Sequence, residues 1–146
     1  MLIALRPREP ADDEPHFGWQ ADPAQVATSV PARSRVDFDA WIARITADPS
    51  VTLRTITADG AVVGTINTFV RGGERFIGSR VANEHWGKGI ATEAIRLMVQ
   101  VDASRPLFAL VLASNVASVR ALQRNGFVVV REDSSEDGPE VVLRLG

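Results

Sequence analysis

The segment with the clearest chemical potential lies in the middle of the chain, where two glycines flank the only lysine, Gly87-Lys88-Gly89. Glycine lets a backbone turn sharply and approach a ligand closely. A helical pattern begins directly afterwards at residues 90–92. A helix N-terminus presents unpaired N–H groups and a partial positive charge, and the Lys88 ammonium adds a point charge beside them. The spacing therefore predicts a loop that binds a phosphate or pyrophosphate.

Two common phosphate loops do not fit this segment. A Walker loop needs a glycine five residues before Gly87, where Ala82 stands, and a Ser or Thr after Lys88, where Gly89 stands. The dinucleotide fingerprint needs a third glycine at the position of Thr92. A phosphate-loop protein for another nucleotide is therefore disfavoured.

Composition removes several classes of site. The chain has no cysteine and no tyrosine, which excludes disulfides, thiolate metal sites, a cysteine nucleophile and a phenolic acid. Its two histidines, His16 and His85, are far apart and lack metal-ligand spacing, so no metal is expected. The net charge of −2 argues against a nucleic-acid partner. The apolar runs fall short of the ~20 residues that span a bilayer, and the N-terminus does not resemble a signal peptide, so we expect no membrane partner and a cytoplasmic location.

Four residues near the loop or on a later helix are candidates for proton transfer. Glu84 and His85 directly precede the loop, and histidine has a suitable intrinsic pKa, although a solvated loop residue is the simpler interpretation. Asn115 and Ser118 begin a later helix. Asn115 is also a good helix N-cap and Ser118 an ordinary first-turn residue, so both interpretations stay open.

The predicted elements position these residues in a mixed α/β (α+β) sheet. The 146 residues fit one domain, residues 1–146, and the predicted order is β-α-α-β-β-β-α-β-α-β-β. Strand 4, the following helix and strand 5 form a right-handed crossover that pairs strands 4 and 5 in parallel. Strands are predicted at residues 2–6, 51–58, 61–70, 75–82, 107–112, 127–131 and 140–145.

The helices are predicted from caps and apolar spacing. The first begins at Asp12 and ends near Asp22, and residues 22–34 are interpreted as a loop. The second has a capping arrangement from Ser34 to Asp37. In the third, the expected buried stripe consists of Ile90, Ala91, Ala94, Ile95, Met98 and Val101. The fourth is opened by Ser114-Asn115 and closed by Gly126.

Two blocks of sequence resemble the GNAT acetyltransferase superfamily. Its acyl-CoA loop is often Gln/Arg-x-x-Gly-x-Gly/Ala, and Gly89 and Ala91 match the small positions. Trp86 replaces the Gln or Arg, as is usual in the branch that includes ribosomal-protein N-terminal (alanine) acetyltransferases. The second block, Asn115 to Arg120 leading to Asn125-Gly126-Phe127, resembles that branch's Asn-x-x-Ser helix and closing Gly-Phe.

The resemblance implies an N-acetyltransferase that moves an acetyl group from acetyl-CoA to a primary amine, a protein N-terminus or a small amine, by direct transfer in a ternary complex. It places the pantetheine arm between strands 4 and 5, which splay apart in this family, with the Val81 N–H near the thioester carbonyl. The implied cofactor-binding residues are Val81, Trp86, Gly87, Lys88, Gly89, Ile90, Ala91, Thr92, Asn115 and Arg124. Trp86 is interpreted more simply as packing under the loop.

The acid and base are not fixed by the resemblance. Many members use a tyrosine where Leu122 stands, and a strand-4 carboxylate where Phe76 stands, while Glu74 is expected in the preceding turn. The candidate catalytic residues are Ser118, Asn115, His85 and Glu84, with water as a further proton carrier. A weak or inactive acyl-CoA-binding module is the alternative function. The acceptor is unidentified, and a homodimer, common in this family, stays open.

Overall fold

A computed structural model describes residues 1–26 and 32–146 of the chain. Five α-helices are present in this part: α1 Asp13–Ala21, α2 Pro23–Val26, α3 Arg35–Ala47, α4 Ile90–Val101 and α5 Val116–Arg124. The strands described are β1 Ile3–Pro7, β2 Thr52–Ala58, β3 Ala61–Arg71, β4 Glu74–Val81, β5 Leu107–Leu112, β6 Val128–Ser135 and β7 Gly138–Leu145. Short 3-10 turns cover Pro10–Asp12 and Asn83–His85.

The strands form one mixed sheet in the order β1-β2-β3-β4-β5-β7-β6. Neighbouring strands are antiparallel except for β4 and β5, which are parallel. The predicted mixed α/β fold and its parallel central pair are therefore confirmed. Asp59 and Gly60, with φ of 51° and 85°, make the predicted tight turn between β2 and β3.

The face of the sheet that carries α4 and α5 holds the main apolar core. Ile90, Ala94, Ile95 and Met98 of α4 are buried against strand residues in this core. Val101, predicted as part of the same stripe, is 48% exposed. That part of the prediction is wrong because the buried stripe ends at Met98, one turn before the helix ends.

Helices α1 and α3 cover the opposite face. His16 of α1 and Ile42 of α3 lie against Thr55 and Thr65, whose neighbours Ile56 and Ile66 point to the other face because side chains alternate along a strand. The Ser34 hydroxyl accepts the Asp37 N–H at 3.2 Å, so the predicted cap of α3 is confirmed.

Three boundaries differ from the sequence prediction. Residues 22–34 were expected to be a loop, but 23–26 form α2, which is too short to produce a periodic signal. Glu74, expected in a turn, is the first residue of β4, and β6 extends to Ser135. The rest of the predicted loop, residues 27–31, lies outside the described residues.

Candidate functional site

A slot opens between the two parallel strands. Within the described chain, β4 and β5 are in register at a single pair, Phe76 and Phe108, and diverge beyond it. The resulting cavity has a volume of about 240 Å³. Residues of both strands line it, together with Ile95 of α4 and residues at the start of α5. The parallel strands are therefore splayed, as the resemblance implied.

A buried polar network holds the closed end of the slot. Asp102, just after α4, accepts hydrogen bonds from the Thr68 hydroxyl at 2.7 Å and from the Arg75 guanidinium. Burial acts to raise the pKa of Asp102, but hydrogen bonds from Ser104, Thr68 and Arg75 outweigh it and hold that pKa well below its usual range. The anionic carboxylate thus ties the end of α4 to β3 and β4 where the slot begins.

The slot passes through the sheet and has two mouths. Ile77 and Ala109 belong to the core under α4 and α5, and Ser118 and Leu122 of α5 line the slot on that side. We call this the helix-side mouth. Phe76 and Leu110 point to the opposite face because they alternate with these residues.

The opposite opening is lined by Phe69, Phe76 and Leu110, and we call it the phenyl-side mouth. Phe69 stacks on Phe76 with ring centroids 6.0 Å apart, and Phe76 contacts Phe108 at 5.8 Å. This opening therefore has a mainly aromatic floor that spans three strands.

The open end of β4 has a backbone donor on the side that faces β5. Ala82 donates its N–H to the Val63 carbonyl of β3 at 2.9 Å. Since backbone groups alternate along a strand, the Val81 N–H points the other way, towards β5. The Val81 carbonyl accepts the side chains of Gln25 at 2.7 Å and Trp86 at 2.9 Å, which fixes this end of the strand.

Trp86 does not pack under the loop as expected. Its side chain is 44% exposed, and its indole N–H is engaged by the Val81 carbonyl. The residue instead fastens the glycine loop to the end of β4, because that hydrogen bond spans the 3-10 turn between them.

The glycine loop leads into α4 through left-handed backbone. Gly87 and Gly89 have φ of 78° and 77°, and a Cβ built on either meets no atom within 4 Å. Gly89 is the N-cap residue of α4 and has no side chain to cap it. The N–H groups of Ile90, Ala91 and Thr92 lie in the first turn, where they lack intrahelical partners. Lys88 is exposed beside them.

Asn125 joins the two helices at the loop, a role that sequence reasoning missed. Its side-chain amide donates to the Thr92 carbonyl at 3.0 Å and to the Ala121 carbonyl at 2.9 Å. The C-terminal end of α5, including the exposed Arg124, is therefore held beside the first turn of α4. The only signal in the sequence was the Asn-Gly-Phe string, which was interpreted as the end of a helix.

Asn115 and Ser118 both line the slot. The Asn115 side-chain oxygen caps α5 by accepting the Ser118 N–H at 3.3 Å, so the capping interpretation is confirmed. The Ser118 hydroxyl has no hydrogen-bond partner in the described part of the chain. Leu122 and Phe76, at the positions where the family often has its acid and base, also line the slot.

Glu84 and His85 lie elsewhere. They form the 3-10 turn before the glycine loop, with His85 Nε2 at 3.6 Å from Glu84 Oε1. The lining of the slot, among residues the structure describes, includes neither of them, nor any of the predicted cofactor-binding residues at positions 81, 86–92 and 124.

Two charged residues of the slot were missed by sequence reasoning. Glu140 of β7 and Arg71 of β3 both belong to its lining. Glu140 pairs with Leu112 of β5, and cross-strand partners point to the same face, so its side chain is on the phenyl side. Neither residue stands in a recognisable motif.

Residues 1–26 and 32–146 contain neither a group of side chains suited to a metal ion nor a helix suited to a membrane. No cluster of three or more His, Asp or Glu side chains there is placed to hold a metal ion. Nor does this part contain a helix with the length and apolarity needed to cross a membrane.

Comparison with protein families gives one match that covers most of the chain. The model described as acetyltransferase (GNAT) domain matches residues 3–128. No curated protein matches the sequence.

Solved structures share the fold at low sequence identity. The aminoglycoside acetyltransferase AAC(6')-Ib in complex with coenzyme A is 21% identical, with a TM-score of 0.84 over 99% of this chain and 94% of that chain. The spermidine N-acetyltransferase from Vibrio cholerae in complex with CoA and spermine is 15% identical, with a TM-score of 0.83 over 98% and 94%. A domain from Methanocaldococcus jannaschii is 16% identical, with a TM-score of 0.78 over 99% of both chains.

Proposed function

Because the chain belongs to the GNAT acetyltransferase family, we propose that it transfers the acetyl group of acetyl-CoA to a primary amine. The observation that carries this proposal is the slot between β4 and β5, whose open end is the end of β4 from which the chain leads into the glycine loop and α4. A loop that binds phosphate and a channel through the sheet together suit a long cosubstrate with a diphosphate in its middle.

The donor site is assigned to the loop and the helix-side mouth. The pyrophosphate lies on the N–H groups of residues 87–92, where the helix dipole favours negative charge. Lys88 and Arg124 add cationic contacts at this end, and Asn115 contacts the pantetheine arm within the slot. The arm carries the thioester towards the Val81 N–H, which stabilises the carbonyl oxygen as it becomes negative.

Transfer is direct, in a complex that holds both substrates. The amine nitrogen attacks the thioester carbon, the C–S bond breaks, and the thiolate takes a proton from Ser118 or from water. Glu84 and His85 keep a role only as more distant proton acceptors, reached through water. Positioning supplies much of the rate, since orientation alone can be worth up to ~7–11 kcal/mol.

A small amine is the acceptor that we favour. The structural neighbours whose names state an acceptor act on an aminoglycoside or on spermidine, which are small amines. A protein N-terminus is the second candidate, and it rests on the resemblance of residues 85–94 to the ribosomal-protein alanine acetyltransferase branch. We further propose a single domain over residues 1–146, supported by one sheet that runs from β1 to β7. A cytoplasmic location and a homodimer stay predictions.

An acyl-CoA-binding module without activity is the second candidate function. Apolar Leu122 and Phe76 occupy the slot positions where many members of the family have an acid and a base. Such a module would bind acetyl-CoA through the same loop but would leave the thioester intact.

Release of free CoA thiol from acetyl-CoA, measured over a library of amines, tests the proposal. We expect amine-dependent release that saturates with both substrates, and an acetylated amine in equal amount. Tight acetyl-CoA binding with no release above the amine-free rate would support the binding module instead. If ATP or NAD raised the thermal unfolding temperature of the protein and CoA did not, both the acetyltransferase and the acyl-CoA-binding module would be overturned.

A further inference from the structure

We propose that Glu140 binds the ammonium group of the acceptor and takes its proton, and that the phenyl floor selects an amine carried on an apolar body. This inference rests on the proposed acetyl transfer and assigns the acceptor half of that site.

The strand order places Glu140 at the open end of the slot. Beyond the Phe76–Phe108 pair, β4 continues to Val81 and β5 to Leu112. Leu112 pairs with Glu140 in β7. The carboxylate therefore lies at the same end of the sheet as the end of β4, where the Val81 N–H points towards β5, although on the phenyl side.

The two substrates enter the slot through different mouths. The helix-side mouth is lined by α5, which the proposed function assigns to the donor together with the glycine loop. The phenyl-side mouth is the remaining route to the thioester, so the acceptor enters past Phe69, Phe76 and Glu140. Glu140 is half-buried and makes no ion pair within the described part of the chain.

The floor of this mouth suits an apolar body. Phe69 and Phe76 are joined by the leucines Leu110 and Leu112 in lining it. The charged groups in the lining are Glu140 and Arg71, one of each sign, among the residues described. Within this lining a polycation would find no second carboxylate for its further ammonium groups, whereas a monoamine needs only Glu140.

The step balances in atoms and charge. The acceptor arrives as an ammonium ion and gives one proton to the Glu140 carboxylate. The neutral nitrogen then attacks the thioester carbon, a C–N bond forms, and the C–S bond breaks. The departing thiolate takes a proton from Ser118 or from water, and the second proton lost by the nitrogen replaces it, so the products are the amide, free CoA thiol and one proton returned from Glu140 to solvent.

The test compares three amines as acceptors, and it compares substitution of Glu140 with substitution of its cross-strand neighbour Asp133. Asp133 of β6 pairs with Glu140 but is outside the slot lining, so Asp133→Asn is a matched control. We measure kcat/KM with 2-phenylethylamine, spermidine and kanamycin, and the Kd for acetyl-CoA by calorimetry. We expect the wild type to prefer 2-phenylethylamine by at least roughly tenfold. Glu140→Gln should lower its kcat/KM by about 10²–10⁴-fold without changing the acetyl-CoA Kd.

Two further variants separate the base from the floor. Glu140→Asp keeps a carboxylate and should recover part of the rate that Glu140→Gln loses. Phe69→Ala should raise the KM for 2-phenylethylamine by roughly tenfold and leave the KM for acetyl-CoA unchanged. Asp133→Asn should change kcat/KM by less than about threefold, since it is an exposed charge.

The failures are distinguishable. Unchanged turnover in Glu140→Gln, or a wild type that prefers spermidine or kanamycin, overturns the acceptor assignment and leaves acetyl transfer standing. A folded wild type that binds acetyl-CoA and acetylates none of the amines overturns the proposed function, and the acceptor site with it.

Discussion

The glycines of the 87–89 loop are required by backbone conformation and not by lack of space, because both have a φ near 78° while a Cβ on either would meet no atom within 4 Å. Gly89 has a φ of 77° and immediately precedes the first turn of α4. That open space is where the proposed pyrophosphate would lie. A negative side chain introduced there would occupy that space and repel the pyrophosphate.

We therefore expect Gly89→Asp to weaken CoA binding by about tenfold or more, the cost of a lost or opposed charged contact. Gly72→Asp is the matched control, because Gly72 has a φ of 60° and equally open surroundings in the β3–β4 turn. Calorimetric titration with CoA measures both. Equal affinities of the two variants would show that the loop is not the diphosphate site.

The slot lining includes two serines, Ser118 of α5 and Ser79 of β4, and the role of Ser118 in protonating the thiolate is testable. A CoA thiolate is weakly basic, so we expect Ser118→Ala to lower turnover by only roughly tenfold, below the 10²–10⁴-fold typical of an essential general acid. Ser114→Ala, an exposed serine outside the slot, controls for small changes near α5. Steady-state rates decide: a loss of about 10⁴-fold would make Ser118 essential, and no loss would assign the proton to water.

His16 predicts a pH dependence of stability. Burial lowers the pKa of His16 to about 4, with Arg80, Arg33 and Arg8 lowering it and Asp13 raising it. In the unfolded chain the histidine titrates near 6.5, so protons favour unfolding between these values. The contribution of neutral His16 to the free energy of unfolding should be complete above pH 6.5. It should fall by about 3 kcal/mol as the pH drops towards 4.

Urea unfolding at several pH values measures this dependence. His16→Phe should flatten it in that window, since a phenyl ring does not titrate, while His85→Phe should retain it. The same slope in the His16 variant and the wild type would contradict the assignment.

At the scale of elements, α5 combines a structural cap with a proposed ligand contact. Asn115 caps the helix through its oxygen, which leaves its amide N–H₂ available to the slot. Asp caps a helix about as well as Asn, whereas Ala loses ~1 kcal/mol of stability.

Asn115→Asp should therefore keep the wild-type stability yet lower turnover, because it removes the amide donor. Asn115→Ala should lower both. Thermal unfolding and turnover of the pair, measured together, separate the two roles. Wild-type turnover in Asn115→Asp would reduce Asn115 to a cap.

Elements with strong local signals were predictable from the sequence. The Asp59-Gly60 turn fixed a hairpin, and the apolar repeat of residues 90–98 fixed α4. Helix α2 was missed because four residues cannot display a helical period. The alternation of residues within β7 does not indicate which strand it pairs with or in which register. A shift of the register by one residue moves every side chain to the other face, so the sequence could not place Glu140 at the slot.

At the scale of the whole molecule, the slot depends on contacts between distant parts of the chain. The Asp102 network joins residues of β3 and β4 to the end of α4 at the closed end. Gln25, from the region before α3, reaches the Val81 carbonyl at the open end. The sequence predicted the fold class and the parallel pair, but local patterns do not encode such contacts, so the two mouths were not foreseen.

The most direct test of the account is transfer of a labelled acetyl group. The wild-type protein is incubated with acetyl-CoA deuterated in its acetyl methyl group and with a monoamine such as 2-phenylethylamine, and the products are measured by mass spectrometry. We predict that the amine gains the deuterated acetyl group in equal amount to the free CoA released. At acetyl-CoA well below its Kd, Gly89→Asp should lower this rate by about tenfold or more, and Gly72→Asp should leave it near the wild-type value. Acetyl-CoA that binds but passes no label to any amine of the library, above the enzyme-free rate, would contradict it.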